Sequence, residues 1–188
     1  MDNSNINLFK AAESGSDHEI SEIISLGGDV NSIDEDGETP LFIALSEGHL
    51  DTANFLINNG ADFRVVNNDG QTILHAASYS NNCKCVELAF KLIKDINLKD
   101  TEGLTPLHHA LENDDIEVFD CLIKNGANLL AQDNDGWSPL HMAADKGNIS
   151  FVKKLLDLGV KDSLLTNKGN NAMQLAASKG HEGIVKLF

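Results

Sequence analysis

His75, His108 and His141 recur at intervals of 33 residues. Imidazoles in register suggest a metal centre, since neutral histidine is a common ligand. Distance argues against it: equivalent positions on neighbouring packed helices lie about 8–10 Å apart, whereas one ion reaches each ligand at about 2 Å. A structural role fits better. Each histidine stands three residues after a hydroxyl side chain, Thr72, Thr105 or Ser138, where it can hydrogen-bond the turn that opens a helix.

The three cysteines are Cys83, Cys85 and Cys121. Cys83-Lys84-Cys85 has the look of a metal or redox pair, but Cys83 aligns with Leu50, Ile116 and Ile149, and Cys85 with Val118 and Phe151. A free cysteine at such positions fills the core as a small hydrophobe. Any disulfide scheme leaves one thiol over, which fits a reducing compartment. His109 is unusual, because Ile43, Ala76, Met142 and Leu175 fill its aligned position. It is expected to be either partly exposed or satisfied by a local acceptor. No nucleophile or carboxylate pair can be placed beside it, and no phosphate loop or zinc spacing occurs, so the expectation is no catalytic, cofactor or metal residue.

These residues must be held by elements, and the elements repeat. Gly37, Gly70, Gly103, Gly136 and Gly169 follow one another every 33 residues, and the chain's three prolines, Pro40, Pro106 and Pro139, each fall three residues after one of them. Ala11, Ala44, Ala77, Ala110, Ala143 and Ala176 share the frame, as do Leu8, Leu41, Leu74, Leu107, Leu140 and Met173. In Asp133 to Ala144, Asp135-Gly136 reads as a turn, Ser138 as a helix N-cap and Pro139 as the first helical residue. The Ala143-Ala144 pair lets that helix lie close to a neighbour.

A 33-residue period carrying Thr-Pro-Leu-His-x-Ala resembles the ankyrin-repeat family over the whole length. Thr39-Pro40-Leu41, Thr72-x-Leu74-His75-Ala76-Ala77, Thr105-Pro106-Leu107-His108-x-Ala110 and Ser138-Pro139-Leu140-His141-x-Ala143 carry the resemblance. Gly60-Ala61-Asp62 and Gly126-Ala127-Asn128 match the family's second-helix terminus. The expected fold is all-α: one domain over 1–188, a solenoid of about six helix-turn-helix units with hairpin-like turns. The units are 1–33 (an N-terminal cap), 34–66, 67–99, 100–132, 133–165 and an incomplete 166–188. Each full unit is a turn, a helix of roughly nine residues, a tight bend and a second helix. Two departures mark the third. Ile93 stands where Gly60, Gly126 and Gly159 end their helices, so the helix there should end differently, and Asn81 replaces Gly48 and Gly147 as a residue tolerant of the left-handed region. Ile184, Val185, Leu187 and Phe188 are apolar at the last residues, which suggests a chain continuing past Phe188.

Among 188 residues, 41% are hydrophobic and the net charge is −15. Residues 1–66 hold 13 acids against 2 bases, 67–132 hold 10 against 5, and 133–188 hold 6 against 7. A stack keeps that gradient in space, with one end repelling phosphate backbones and attracting basic partners; the alternative reading is that the acidity only keeps a long, high-surface protein soluble. Nucleic acid is therefore not expected. No run reaches the roughly 20 apolar residues of a membrane span, and the first 15 residues lack a signal peptide's basic and apolar regions, so the expected location is cytoplasmic, with the nucleus or a host cytosol as variants.

In the family resembled, the turn tips and first-helix ends face a concave side, and binding there is what the resemblance implies. The expected partner-binding residues are Glu35, Asp36, Glu38, Asp69, Gln71, Glu102, Leu104, Asp135 and Trp137 at the turn tips, with Tyr79, Glu112 and Asp145 on the first helices. Leu104 and Trp137 each follow a turn glycine and are read as exposed apolar anchors in an acidic rim. The expected function is a non-enzymatic protein–protein interaction module, a monomer binding a protein with a basic segment on a largely acidic concave surface. The alternatives are the regulatory or targeting domain of a longer enzyme or bacterial effector, and a spacer.

Overall fold

In the computed structural model, residues 3–188 are described, so Met1 and Asp2 of the expected cap lie outside them. Among the described residues there are twelve helices and no strand. They are α1 (Asn3–Ser14), α2 (Asp17–Ser25), α3 (Pro40–Ser46), α4 (Leu50–Asn58), α5 (Ile73–Tyr79), α6 (Cys83–Ile93), α7 (Pro106–Glu112), α8 (Ile116–Lys124), α9 (Pro139–Lys146), α10 (Ile149–Asp157), α11 (Ala172–Ser178) and α12 (Glu182–Val185). None is long and apolar enough to cross a membrane. Odd-numbered helices stack in one row and even-numbered helices in a second, and each pair packs mainly on its neighbours.

The small residues explain the first row. Ala11, Ala44, Ala77, Ala110, Ala143 and Ala176 are wholly buried, which lets these helices approach closely. Leu41, Leu74, Leu107 and Leu140 fill the space between the rows, while Met173 is 36% exposed where the row ends. Leu56, Ala89, Leu122 and Leu155 form the fully buried stripe of the second row, and Ile57, Phe90, Ile123 and Leu156 pack against it half-buried. The first helices are shorter than the nine residues expected: α3, α5, α7 and α11 have seven and α9 has eight. The second helices α4, α8 and α10 have nine.

Before each first helix the chain makes a hairpin-like turn. Asp133 Oδ1 accepts from the N–H groups of Asp135 (2.9 Å) and Trp137 (2.7 Å), and the Asp133 N–H donates to Trp137 O at 2.9 Å. Asp34, Asn67 and Asp100 do the same in their turns. Successive tips are tied backbone to backbone: Asn68 N–H to Asp36 O, Thr101 to Asp69, Asn134 to Glu102 and Asn167 to Asp135, at 2.8–2.9 Å. Gly136 sits in this seam at φ 81°. A Cβ there would come 2.8 Å from Asn167 N, so both the dihedral and the close approach require glycine.

The third pair departs from its neighbours as Ile93 foretold. α6 runs on to 11 residues, and the left-handed residue that stops it is Lys94, at φ 63°. Asn81 corrects the expectation for the bend before α6, since it is not among the residues at positive φ. Ser80 is extended instead (φ −75°, ψ 150°), its hydroxyl donating to Ala77 O at 2.6 Å. Asp114, at the aligned place one unit later, does take the left-handed conformation, at φ 60°.

Candidate protein-binding surface

The recurring histidines brace the turns. The ring Nδ1 of His75, His108 and His141 accepts from the backbone N–H of Thr72, Thr105 and Ser138 at 3.0–3.1 Å, and meets the same residues' hydroxyls at 2.8–2.9 Å. Nδ1 must be unprotonated to accept, so Nε2 carries the proton, and it donates to Leu104 O from His75 and to Leu164 O from His141. Burial, and then the nearby His109, push His75 and His108 down to about 4. These are neutral struts.

His109 is the centre of a buried polar network spanning two units. It is 2% exposed. Its Nε2 lies 2.8 Å from Asp100 Oδ2, its Nδ1 lies 2.6 Å from Tyr79 Oη and 3.5 Å from Glu112 Oε2, and its ring meets His75 edge-on at 5.4 Å. Of the two expectations for His109, local satisfaction holds and exposure does not. Asp100 spends its other oxygen on the turn, accepting from Glu102 and Leu104. Burial raises the Tyr79 hydroxyl to about 12, and the hydrogen bond from His109 holds Glu112 below the usual carboxylate range. Gln71 donates to Tyr79 Oη at 3.3 Å. The network fixes the relative position of α5, α7 and their turns.

Around this network lie two open cavities. The larger, about 590 Å³, is lined by Glu38, Phe42, Glu47, Tyr79, Asn81 and Asn113 among others. Burial, followed by the Asp34 charge, raises Glu38 above the usual carboxylate range. The smaller, about 350 Å³, is lined by Trp137, Met142, Leu104 and the acids Glu102, Glu112, Asp133, Asp135 and Asp145, with Lys146 and Lys168. Trp137 is half-buried, its ring edge-on to His141 at 6.5 Å. Lys146 is already engaged, its ammonium donating to Glu112 O at 3.0 Å and Leu111 O at 3.4 Å.

Six of the sequence-derived residues thus converge on one cavity: Trp137, Leu104, Glu102, Glu112, Asp135 and Asp145. Glu38 and Tyr79 line the other. Glu35, Asp36 and Asp69 are exposed turn-tip residues that line neither. Leu104 is a correction: it is 7% exposed rather than an exposed anchor, because the Asp100 turn and the His75 strut fold it inward. Asp100 and Met142 were not anticipated. The signal for Asp100 was in the frame, since Asp34, Asn67, Asp100 and Asp133 all stand three residues before a turn glycine.

The cysteines divide differently than expected. Cys85 is fully buried and fills the core, with burial pushing its thiol up to about 11. Cys83 also packs against the core, half-buried at the start of α6, but it is not a free thiol: a disulfide joins it to Cys121 of α8. With Glu87 these two form the group of potential metal ligands found among the described residues.

Two comparisons bear on identity. No curated protein matches the chain. A family model described as ankyrin repeats (3 copies) matches residues 8–100, 87–163 and 131–188. With matched residues extending from 8 to 188, on helices paired and braced as above, the chain belongs to the ankyrin-repeat family.

Proposed function

We propose that this chain is a non-enzymatic interaction module that receives a basic, extended segment of a partner protein on a concave, largely acidic face. Ankyrin repeats are generally protein–protein interaction modules. In this reading, residues 1–188 form one domain divided at 33, 66, 99, 132 and 165, and the turn tips with the first helices make the concave side. The observation that carries it is the cavity at Trp137, where an indole, Met142 and Leu104 make an apolar lining and five carboxylates make a rim. A lysine or arginine side chain matches both parts, its aliphatic stem on the apolar lining and its charge over the indole face and among the acids. The buried network of Tyr79, His109 and Asp100 holds the neighbouring wall in place, so little ordering entropy is lost on binding.

The test is calorimetry with extended arginine- and lysine-rich peptides. Trp137→Ala should weaken binding by about 2 kcal/mol or more, roughly 30-fold, with the far-ultraviolet circular dichroism unchanged. Undiminished affinity in Trp137→Ala would remove this cavity from the binding site.

A further inference from the structure

We propose that Cys83 and Cys121 are a reversible thiol–disulfide modification site, opened by small thiols and closed by small disulfides, that staples the third helix pair to the fourth. The residues are 38 apart in sequence with Cα atoms 5.8 Å apart, a spacing within the usual range for a disulfide. They sit on different helix pairs, so the bond ties α6 to α8 rather than bridging one helix. At the corresponding places one unit earlier stand Leu50 and Leu88, and one unit later Ile116 and Lys154. Two of the chain's three cysteines thus fall at one facing pair.

The surroundings set the direction of attack. Cys83 is half-buried and Cys121 is 3% exposed, so an incoming thiolate reaches the sulfur of Cys83. That attack forms a mixed disulfide at Cys83 and breaks the bond to Cys121, which leaves as a thiolate carrying the electron pair. The side-chain amide of Asn125, 3.8 Å from Cys121 Sγ, donates to it there. A second small thiolate then attacks the small-thiol sulfur, releasing the Cys83 thiolate and a small disulfide. Two thiols are oxidised as the protein bond is reduced, and a small disulfide runs the sequence backwards. Cys85, fully buried in the core, takes no part.

The place also gives the staple a purpose. It joins the units at which the glycine pattern lapses, with Ser80 extended and Lys94 and Asp114 in the left-handed region. A cross-link closing a loop of this size stabilises chiefly by restricting the unfolded chain.

The experiment equilibrates the full chain in glutathione buffers from fully reduced to fully oxidised, then counts thiols after denaturation, maps cross-linked peptides by mass spectrometry and records melting. Oxidised protein should show one free thiol and an 83–121 cross-link, reduced protein three thiols and a Tm lower by about 10 °C. Cys85→Ser should keep the redox-dependent shift, while Cys83→Ser and Cys121→Ser should each abolish it. In Cys121→Ser, oxidised glutathione should add to Cys83. Three thiols at every poise, a cross-link involving Cys85, or a thiophilic divalent ion retained by both reduced thiols and Glu87 would overturn the proposal.

Discussion

His75 and His108 show how a titratable residue becomes a structural one. Each is fully buried in the neutral form with Nδ1 accepting from its turn, and burial lowers both to about 4. In the unfolded chain they titrate near 6.5, so between about 6.5 and 4 the unfolded state binds more protons than the folded one. Stability should therefore be intact above pH 6.5 and decline as pH falls towards 4, by up to about 3 kcal/mol for each histidine. Urea melts across that interval test this. His75→Asn, which keeps an acceptor for the turn, should flatten the slope, and an unchanged slope would show that His75 is not its source. At this scale the histidines' role was legible in the sequence, because the hydroxyl three residues earlier named the partner. The inward side chain of Leu104 was not, since it aligns with the half-buried Glu38, Gln71 and Trp137, and the frame alone does not show the fold of one turn.

Among the elements, the turn seam carries the sharpest contrast. Gly136 and Gly159 both have φ near 80°, at 81° and 83°, but a Cβ on Gly136 would press on the Asn167 backbone while one on Gly159 meets nothing within 4 Å. Gly159→Ala should cost about 1 kcal/mol, the left-handed dihedral alone. Gly136→Ala should cost about 2–3 kcal/mol, because the tip-to-tip hydrogen bond from Asn167 to Asp135 must also shift. Equal losses in chemical denaturation would show that the seam yields freely. The period, caps and turns were readable here because glycine, proline and hydroxyl residues act locally. The extension of α6 to Ile93 was foreseen only as a difference, and that Asn81 avoids the left-handed region while the aligned Asp114 of the next unit adopts it was missed. Backbone choice at a bend depends on competing side-chain hydrogen bonds such as that of Ser80, which alignment by period does not rank.

Over the whole molecule, the acids gather in residues 1–66 and the bases in 133–188, so the Trp137 cavity is an acidic pocket in the less acidic part of the chain. The pocket was half legible: the turn-tip acids and Trp137 were readable from the frame, whereas Met142 as part of its lining and the network behind it required helices stacked in three dimensions. The pairing of Cys83 with Cys121 was hidden for the same reason, since spacing drew attention to Cys85 instead. Trp137 is the chain's one tryptophan, so its emission reports on the cavity directly. The decisive measurement is therefore a fluorescence titration with an arginine-rich peptide and a length-matched glutamate-rich peptide at low and high salt. A saturable change with the basic peptide, weakening as salt rises and absent with the acidic one, is the predicted result. No change with the basic peptide, or an equal change with the acidic one, would contradict the account.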